Sequence, residues 1–223
     1  MQSTEQKDII TKTTSENFYE TYWQERGRMK MKPRYFVFAR WIKPGSKVLD
    51  IGGGDGVFGE FLRDELRCDV VCLDISEHAL KMAKERGLKT VLADATKRLP
   101  FADDEFDYTI SSEFIEHIPN AEDAVREAMR ITKKYFLVSF PNAAYWRYRL
   151  QMLMGRTPKQ WEKHPAEHLR FWAIPDFKEW VDMLGFSVLE YKASNGKRFL
   201  RDIWPNLFGF QMCYKVGEKN GER

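Results

Sequence analysis

Cysteine and long apolar runs are both scarce in this sequence of 223 residues. The three cysteines are odd in number and lack the paired spacing of a metal site; they are Cys68, Cys72 and Cys213. We therefore expect reduced thiols and a cytoplasmic location. No apolar run approaches the ~20 residues that a helix needs to cross a bilayer. The amino terminus is polar and contains acids, so no signal peptide is expected.

Linkers, low-complexity stretches and internal repeats are missing as well. Hydrophobic residues make up 43% of the chain and charged residues 31%, so a globular domain with a sizeable core is expected rather than a disordered chain. We predict one domain over residues 1–223. Within it, residues 1–44 are expected to form a helical lid region, and residues 143–172 an insertion on the substrate side.

The charges are segregated along the chain, although its net charge is only +3. One stretch nearly lacks acids and another nearly lacks bases. Residues 24–47 contain eight Lys or Arg and one acid, whereas residues 101–127 contain nine acids and one Arg. A basic face is often simply solvated. If the basic stretch lies near a site, however, it favours an anionic substrate or a polyanion.

The chain is organised around the stretch 48–56. Val48, Leu49 and Ile51 predict a short buried strand, and a burst of glycines ends it. From Val57 the apolar residues fall at spacings of three and four, which predicts a helix. A strand, a tight glycine turn and a helix opening together form a nucleotide-type binding turn.

Two acids accompany this turn, Asp50 inside the strand and Asp55 within the turn. Carboxylates there would repel a pyrophosphate but attract a cationic ligand without phosphates, such as S-adenosylmethionine. The turn resembles motif I of the class I methyltransferases, an acid followed by G-x-G-x-G. The residues that match this motif are Asp50, Gly52, Gly54 and Gly56. We expect Asp50 and the loop amides to hold the methionine part of the cofactor.

A dinucleotide site is the alternative for the same turn. Gly54, Gly56 and Gly59 meet the spacing G-x-G-x-x-G of the dinucleotide-binding fingerprint. A nicotinamide-dependent oxidoreductase is therefore an alternative function, and the carboxylate of Asp50 disfavours it.

Acids also end the next two predicted strands. Asp74, followed by Ile75, ends the second strand about 20 residues after the glycine turn, the interval at which an acid meets a ribose. A helix cap is the other interpretation of Asp74. The methyltransferase resemblance implies that Asp94 accepts the adenine amine and that the Ala95 N–H contacts the ring. Ser111, at the end of the fourth strand, is expected at the same crevice.

Aromatic residues crowd the segment before the basic stretch. They are Phe18, Tyr19, Tyr22 and Trp23. Packing at the domain edge is one interpretation of this cluster. The resemblance implies instead that Tyr19 and Tyr22 lie over the cofactor as a lid.

Glu113, Glu116 and His117 form the most reactive stretch of the second half. Helical spacing is expected to place Glu113 on one face with Glu116 or His117, pointing into the mouth of the site. The pattern resembles E-x-x-E-H, which binds a divalent metal in small-RNA and ubiquinone-pathway O-methyltransferases; His168 or His164 would supply a fourth ligand. Related enzymes carry Glu-His here without a metal. We therefore predict no metal, with His117 as the candidate base and Glu113 as a substrate contact.

Several short motifs follow the fifth predicted strand. They are S-F-P-N from Ser139, W-R-x-R-L from Trp146, G-R-x-P from Gly155, I-P-D-F from Ile174 and P-N-L-F-G from Pro205. In this order they are similar to motifs of the MetW family, a resemblance that covers residues 47–214 approximately. The MetW helix after the fourth strand lacks the Glu113, Glu116 and His117 set, so the role need not be the same.

Aromatic residues and arginines interleave between Trp146 and Gly155. Such a segment can cap a substrate pocket, bind a partner or lie on a membrane surface. A plain amphipathic helix that folds back on the core is the simplest interpretation. We expect Arg147 and Arg149 to bind an anionic group of the substrate.

The resemblance implies an α/β fold: a Rossmann-like, doubly wound seven-stranded sheet with an antiparallel terminal hairpin, the class I methyltransferase fold. We expect methyl transfer from S-adenosylmethionine to a small molecule, for which the basic stretch favours an anion. One alternative is a MetW-like partner protein of a homoserine acyltransferase in methionine biosynthesis. Another is a metal-dependent RNA 2′-O-methyltransferase. We expect neither a membrane span nor, under the first function, a nucleic-acid partner.

Overall fold

The computed structural model describes residues 18–158 and 168–219. The strands are β1 (Lys47–Ile51), β2 (Asp69–Asp74), β3 (Lys89–Leu92), β4 (Phe106–Ser112), β5 (Thr132–Pro141), β6 (Phe186–Gly196) and β7 (Gly209–Glu218). The helices are α1 (residues 18–26), α2 (Pro33–Trp41), α3 (Val57–Leu66), α4 (Glu77–Glu85), α5 (Ala121–Arg130), α6 (Trp146–Leu153), α7 (Ile174–Met183), α8 (Leu200–Ile203) and α9 (Pro205–Phe208). A 3-10 turn spans Ile115–His117. Three parts of the sequence-based predictions lie outside the described residues: residues 1–17 of the lid region, residues 159–167 of the insertion, and His164 within them.

The seven strands form one sheet in the order β3-β2-β1-β4-β5-β7-β6. Strands β1 to β5 run parallel, and β7 lies antiparallel between β5 and β6. The predicted seven-stranded, doubly wound sheet with an antiparallel terminal hairpin is therefore confirmed. β1 pairs with β2 on one side and with β4 on the other. The chain leaves these central strands in opposite directions, so a crevice opens beyond their carboxyl ends.

Two apolar clusters cover the two faces of the sheet. Alternation along β1 decides which side chain enters which cluster, because successive strand residues point to opposite faces. Val48 packs with Phe58 and Leu62 of α3 on one face. Leu49 and Ile51 enter the other cluster, together with α5 and α7. The sheet is thus anchored on both faces, which fixes the strand ends that form the crevice.

One predicted element is wrong. Residues 113–117 were expected to be helical, but Glu113 has φ +55° and only the 3-10 turn follows. The Glu113 N–H donates to the Ser139 carbonyl at an N···O distance of 2.9 Å. This bond keeps Glu113 attached to the sheet, so a helix cannot begin there.

Among the helices of residues 18–158 and 168–219, none combines the length and the apolar composition needed to cross a bilayer.

Candidate cofactor and acceptor site

A cavity of about 510 Å³ opens at the carboxyl ends of the central strands. Its two ends differ in what lines them. The glycine end is lined by the turn after β1 and the tip of β2, namely Gly52, Gly53, Gly54, Asp55, Asp74 and Ile75. The hairpin end is lined by residues of the β4 turn, α6, β7 and the segment before α7, namely Glu113, His117, Tyr148, His168, Phe210 and Gln211.

The N–H groups of the glycine turn point into the protein. Gly52 N and Gly53 N both donate to the Leu73 carbonyl, at N···O distances of 2.8 and 3.1 Å. Gly54 N donates to the Asp74 carboxylate at 2.9 Å. These bonds do not support the expectation that the amides hold the cofactor, which stays a prediction. In a phosphate-binding turn the N–H groups point at the ligand instead, so this turn has little to offer a pyrophosphate.

Two glycines of the turn are required by the rings that lie against them. Gly54 has φ +57°, and a Cβ atom there would come within 2.2 Å of the Trp23 ring. Gly52 has φ +68°, and its Cβ would lie 2.7 Å from the Phe114 ring. Both a left-handed backbone and a close approach therefore exclude larger residues.

Asp50 is buried beneath the turn rather than exposed at the cavity wall. A Cβ atom on Gly53 would lie 3.0 Å from the Asp50 Cγ atom. Burial, followed by the nearby carboxylates of Asp74 and Asp55, raises the pKa of Asp50 from 3.8 to about 7, against the lowering effect of Arg34. A cation bound above the turn would favour the ionised form of Asp50.

Asp55 is neutralised within the protein. Its Oδ2 atom accepts from Arg86 Nη2 and from Met29 N, each at 2.7 Å. The side chains of Asp55 and Arg86 are only 1% and 8% exposed, and Arg86 also pairs with Glu60. The ion pair does not support the expectation that Asp55 attracts a cationic ligand, because Arg86 already supplies an opposite charge.

Asp74 lies at the cavity wall, with Ile75 beside it. Its Oδ2 accepts from Gly54 N at 2.9 Å and its Oδ1 from Ser76 N at 3.0 Å. These two bonds fix the carboxylate, and each oxygen has a second lone pair. Burial raises the pKa of Asp74, and the backbone hydrogen bonds oppose that rise. The helix-cap interpretation does not hold, because the Ser76 hydroxyl caps α4 by accepting from Ala79 N at 3.1 Å.

Besides Asp50, four predicted cofactor residues do not line the cavity. Gly56 packs against the core, where a Cβ would meet a leucine side chain. Asp94 Oδ1 accepts from the Thr96 N–H and hydroxyl, at 2.9 and 2.7 Å, which closes a local turn. Ala95 and Ser111 are buried. The adenine contact of Asp94 and Ala95 and the cofactor contact of Ser111 stay predictions that the cavity wall does not support.

Helix α1 covers the glycine end with aromatic side chains. Tyr19, Tyr22 and Trp23 all line the cavity. Glu20 ties the helix to the start of α4: its Oε2 accepts from the Ser76 hydroxyl at 2.6 Å and from the backbone at position 78 at 3.3 Å. The predicted lid residues are thus at the cavity, and their contact with a cofactor stays a prediction.

Three basic residues that were not singled out from the sequence line the cavity. They are Arg26, Lys32 and Arg34, all from the basic stretch 24–47. Arg34 Nε donates to the Ser112 hydroxyl at 2.7 Å, which holds its guanidinium at the tip of β4. The charge pattern was the available signal, since it favoured an anionic substrate if the basic stretch lay near a site, without indicating which side chains face inward.

The two arginines predicted to bind the substrate lie outside this cavity. Arg149 Nε donates to the Ala144 carbonyl at 2.6 Å, so this group holds the start of α6. Arg147 lines a smaller neighbouring cavity of about 370 Å³, which shares Tyr148 with the main one. The prediction that Arg147 and Arg149 bind substrate at the main site is therefore not supported.

The acidic and histidine residues after β4 separate into two groups. Glu113 faces the cavity beside His117. Glu116 is buried behind them, with 1% of its surface exposed. The ring of His168 lies edge-on to that of His117, with centroids 4.6 Å apart. The structure thus brings Glu116, His117 and His168 together, whereas the set expected from the sequence also included Glu113.

Known proteins share both the sequence pattern and the architecture. A family model described as methionine biosynthesis protein MetW matches residues 32–216. The chain belongs to the MetW family. A MetXA/MetW bifunctional methionine biosynthesis protein of Rhodopirellula baltica is 28% identical over 184 residues. The match covers 74% of this MetW chain but only 29% of that relative, so the chain spans less than a third of its length.

Methyltransferases are also among the relatives of this chain. A demethylmenaquinone methyltransferase of Renibacterium salmoninarum is 30% identical over 188 residues, which are 76% of this chain and 78% of the relative. A solved S-adenosylmethionine-dependent methyltransferase of Archaeoglobus fulgidus superposes with a TM-score of 0.62 at 21% identity, over 83% of this chain and 91% of that one. The structural likeness shows the class I methyltransferase fold.

Proposed function

We propose that this MetW-family chain is an S-adenosylmethionine-dependent methyltransferase that acts on a small anionic molecule. The observation that carries the proposal is the glycine turn, whose N–H groups are all engaged inside the protein at Gly52, Gly53 and Gly54. Such a turn favours a ligand that approaches closely without phosphates. The buried carboxyl of Asp50 beneath it favours a cation.

The ligand groups of S-adenosylmethionine match the glycine end. Its sulfonium and ammonium are cationic, which suits the ionised form of Asp50. Its ribose offers two hydroxyl donors, which suit the two fixed oxygens of Asp74. A dinucleotide would place a pyrophosphate beside both carboxylates, and the turn would give no N–H groups in return.

When bound, S-adenosylmethionine supplies an electrophilic methyl group on sulfur. The contribution of the chain is to orient the two reactants and to exclude water. The aromatic residues Tyr19, Tyr22 and Trp23 cover the glycine end and serve the second task. His117, at the hairpin end, accepts a proton where the acceptor must lose one.

The positive residues at the cavity support an anionic acceptor. Arg26, Lys32 and Arg34 line the wall, while Asp55 is neutralised by its ion pair with Arg86. A carboxylate or phosphate on the acceptor would meet the guanidinium of Arg34 at the tip of β4.

Calorimetry with the purified chain tests the cofactor assignment. We expect S-adenosylmethionine to bind and NAD to give no heat of binding. Asp74→Ala should weaken S-adenosylmethionine binding by about 10-fold or more, since two hydrogen bonds to a charged group are lost. Asp69→Ala is the matched control, because this residue lies at the other end of β2 in an exposed pair with Lys89. Equal affinities for the two variants would contradict the assignment.

Labelled S-adenosylmethionine incubated with fractionated cell extract tests the acceptor. We expect the labelled product to bind to an anion exchanger. Arg34→Gln should lower kcat/KM for the acceptor by roughly 10-fold while leaving the affinity for S-adenosylmethionine intact. Arg40→Gln, an exposed change on the same helix, is the control. A neutral or cationic product would refute the anionic acceptor.

A second candidate function is that of a partner protein for a homoserine acyltransferase. Two observations favour it. The Rhodopirellula relative joins MetXA and MetW in one chain. Large apolar side chains are exposed on α6 and around α8, with Leu153 84%, Phe199 71% and Ile203 79% exposed. Exposed apolar surface of this kind is typical of interaction sites.

Co-elution with a homoserine acyltransferase on size exclusion tests this second candidate. We expect Leu153→Ser or Ile203→Ser to abolish co-elution and to leave S-adenosylmethionine binding unchanged. Separate elution of the unmodified proteins would refute the partner role.

A further inference from the structure

We propose that Glu116, His117 and His168 form a binding site for a divalent transition-metal ion at the hairpin end of the cavity. Each residue offers one ligand atom, and these atoms all lie within 4.8 Å of one another. The His117 Nε2 and Glu116 Oε1 atoms are 3.8 Å apart. Metal–ligand bonds of about 2.0–2.1 Å in a tetrahedral site set ligand atoms roughly 3.3 Å apart, so this pair needs to close by about 0.5 Å and the other pairs by at most roughly 1.5 Å.

The Glu116 carboxylate is the observation that points to a ligand. It is 1% exposed, and neither oxygen has a hydrogen-bond partner among the described residues. Buried carboxylates are normally hydrogen-bonded, paired with a cation or bound to a metal, because an isolated buried charge is costly. The neighbouring side chains include Glu113, which repels a second negative charge, and Arg34, which favours it. A divalent cation between Glu116 and the two imidazoles would satisfy the carboxylate.

The backbone holds the two separate parts of this site together. The Glu116 carbonyl accepts from Leu169 N at 2.8 Å and from Arg170 N at 3.3 Å, which sets His168 beside Glu116. The Arg170 guanidinium also donates two hydrogen bonds to the Glu122 carboxylate, with N···O distances of 2.9 and 2.8 Å. These contacts therefore anchor the ligand from the segment before α7 to the ligands after β4.

The donor set indicates the class of metal. Two imidazoles and one carboxylate are typical of zinc and of iron, manganese or cobalt in the divalent state, and not of calcium or magnesium, which prefer oxygen ligands. His117 and His168 line the cavity, whereas Glu116 lies behind it. The remaining coordination position thus faces the cavity, where an acceptor oxygen can bind. A metal there would lower the pKa of a bound hydroxyl. His117 would then be a ligand rather than the proton acceptor, and the Glu113 carboxylate, which lines the cavity beside it, would take the proton.

Metal titration of the chelator-treated, dialysed chain tests the site without any cofactor. We expect one Zn²⁺ per chain, measured by calorimetry against a competing chromophoric chelator. One Co²⁺ per chain should give the visible absorption bands of a tetrahedral site. His168→Ala and Glu116→Gln should each weaken Zn²⁺ binding by about 100-fold and remove the cobalt bands, whereas Mg²⁺ should not compete.

His78→Ala is the matched control, because it removes a histidine of α4 that belongs to no such cluster among the residues that the structure describes. It should bind Zn²⁺ as the unmodified chain does. Equal Zn²⁺ affinity in His168→Ala and His78→Ala, or no saturable binding to the unmodified chain, would overturn the proposal. Circular dichroism of each variant identifies misfolding. If a variant misfolds, the cobalt spectrum of the unmodified chain decides whether the site exists, and a spectrum without tetrahedral bands would overturn the proposal. Because the titration contains no S-adenosylmethionine, its failure leaves the proposed methyl transfer untouched.

Discussion

Replacing Asp50 by asparagine should stabilise the protein in a pH-dependent way. The pKa of Asp50 is about 7 in the folded chain, where burial is the main cause, and 3.8 is its ordinary value. Ionising Asp50 therefore costs the folded state nothing below pH 3.8, and the cost grows as the pH rises until it is constant above pH 7. At ~1.4 kcal/mol per pH unit, the cost reaches about 4 kcal/mol at pH 8 and roughly 2 kcal/mol at pH 5.

Asparagine has nearly the same shape but does not ionise. Urea unfolding of Asp50→Asn and of the unmodified chain, each at pH 5 and pH 8, measures the difference. Because pH 5 lies two units below the folded pKa, the stability gain of the variant should be about 2–3 kcal/mol larger at pH 8 than at pH 5. The same gain at both pH values would refute the claim that Asp50 is a buried, destabilised carboxyl.

The same group should set the pH dependence of cofactor binding. The ionised fraction of Asp50 rises from about 10% at pH 6 to about 90% at pH 8 for a pKa near 7. Calorimetry should therefore show that S-adenosylmethionine binds up to about 10-fold more tightly at the higher pH. Asp50→Asn should bind more weakly, and this Asp50-dependent part of the pH response should be lost. An unchanged pH profile in the variant would show that the ligand does not sense this carboxyl.

Two further substitutions test the packing around the site. Gly54→Ala places a Cβ against the Trp23 ring, so it should displace α1 and alter tryptophan fluorescence. Gly45→Ala is the control: at φ +77° and with no atom within 4 Å of the added Cβ, it introduces backbone strain without a steric clash. Identical fluorescence in both variants would contradict the close approach. Arg86→Gln leaves a buried aspartate without its opposite charge and should cost about 3–5 kcal/mol in urea unfolding, whereas Lys89→Gln, from an exposed pair, should cost less than about 1 kcal/mol. Equal costs would show that burial of the first pair is unimportant.

Local sequence patterns predicted the fold and the glycine end of the site. The apolar run of β1 and the glycines after it need only neighbouring residues to be recognised, and Asp74 follows from the spacing of strand ends. These features depend on periodicity and on backbone freedom, which are properties of the chain over short distances. The hydrogen bonds that engage the glycine amides were not predictable in the same way, because their acceptors belong to the next strand.

The residues whose predicted roles the structure does not support depend on contacts between distant parts of the chain. Asp55 meets Arg86, 31 residues away, so their ion pair leaves no local signal. The choice of Arg147 and Arg149 followed from their aromatic neighbours, but neither residue lines the main cavity. The helix predicted at Glu113 failed because a bond from Glu113 to β5 outweighs the local spacing.

A crystal structure of the chain soaked with S-adenosylhomocysteine tests the central claim most directly. The account predicts that the nucleoside fills the glycine end, with the ribose hydroxyls on the Asp74 carboxylate and the amino group above the turn that covers Asp50. A glycine end that stays empty at saturating ligand, or one that binds the pyrophosphate of NAD instead, would contradict it.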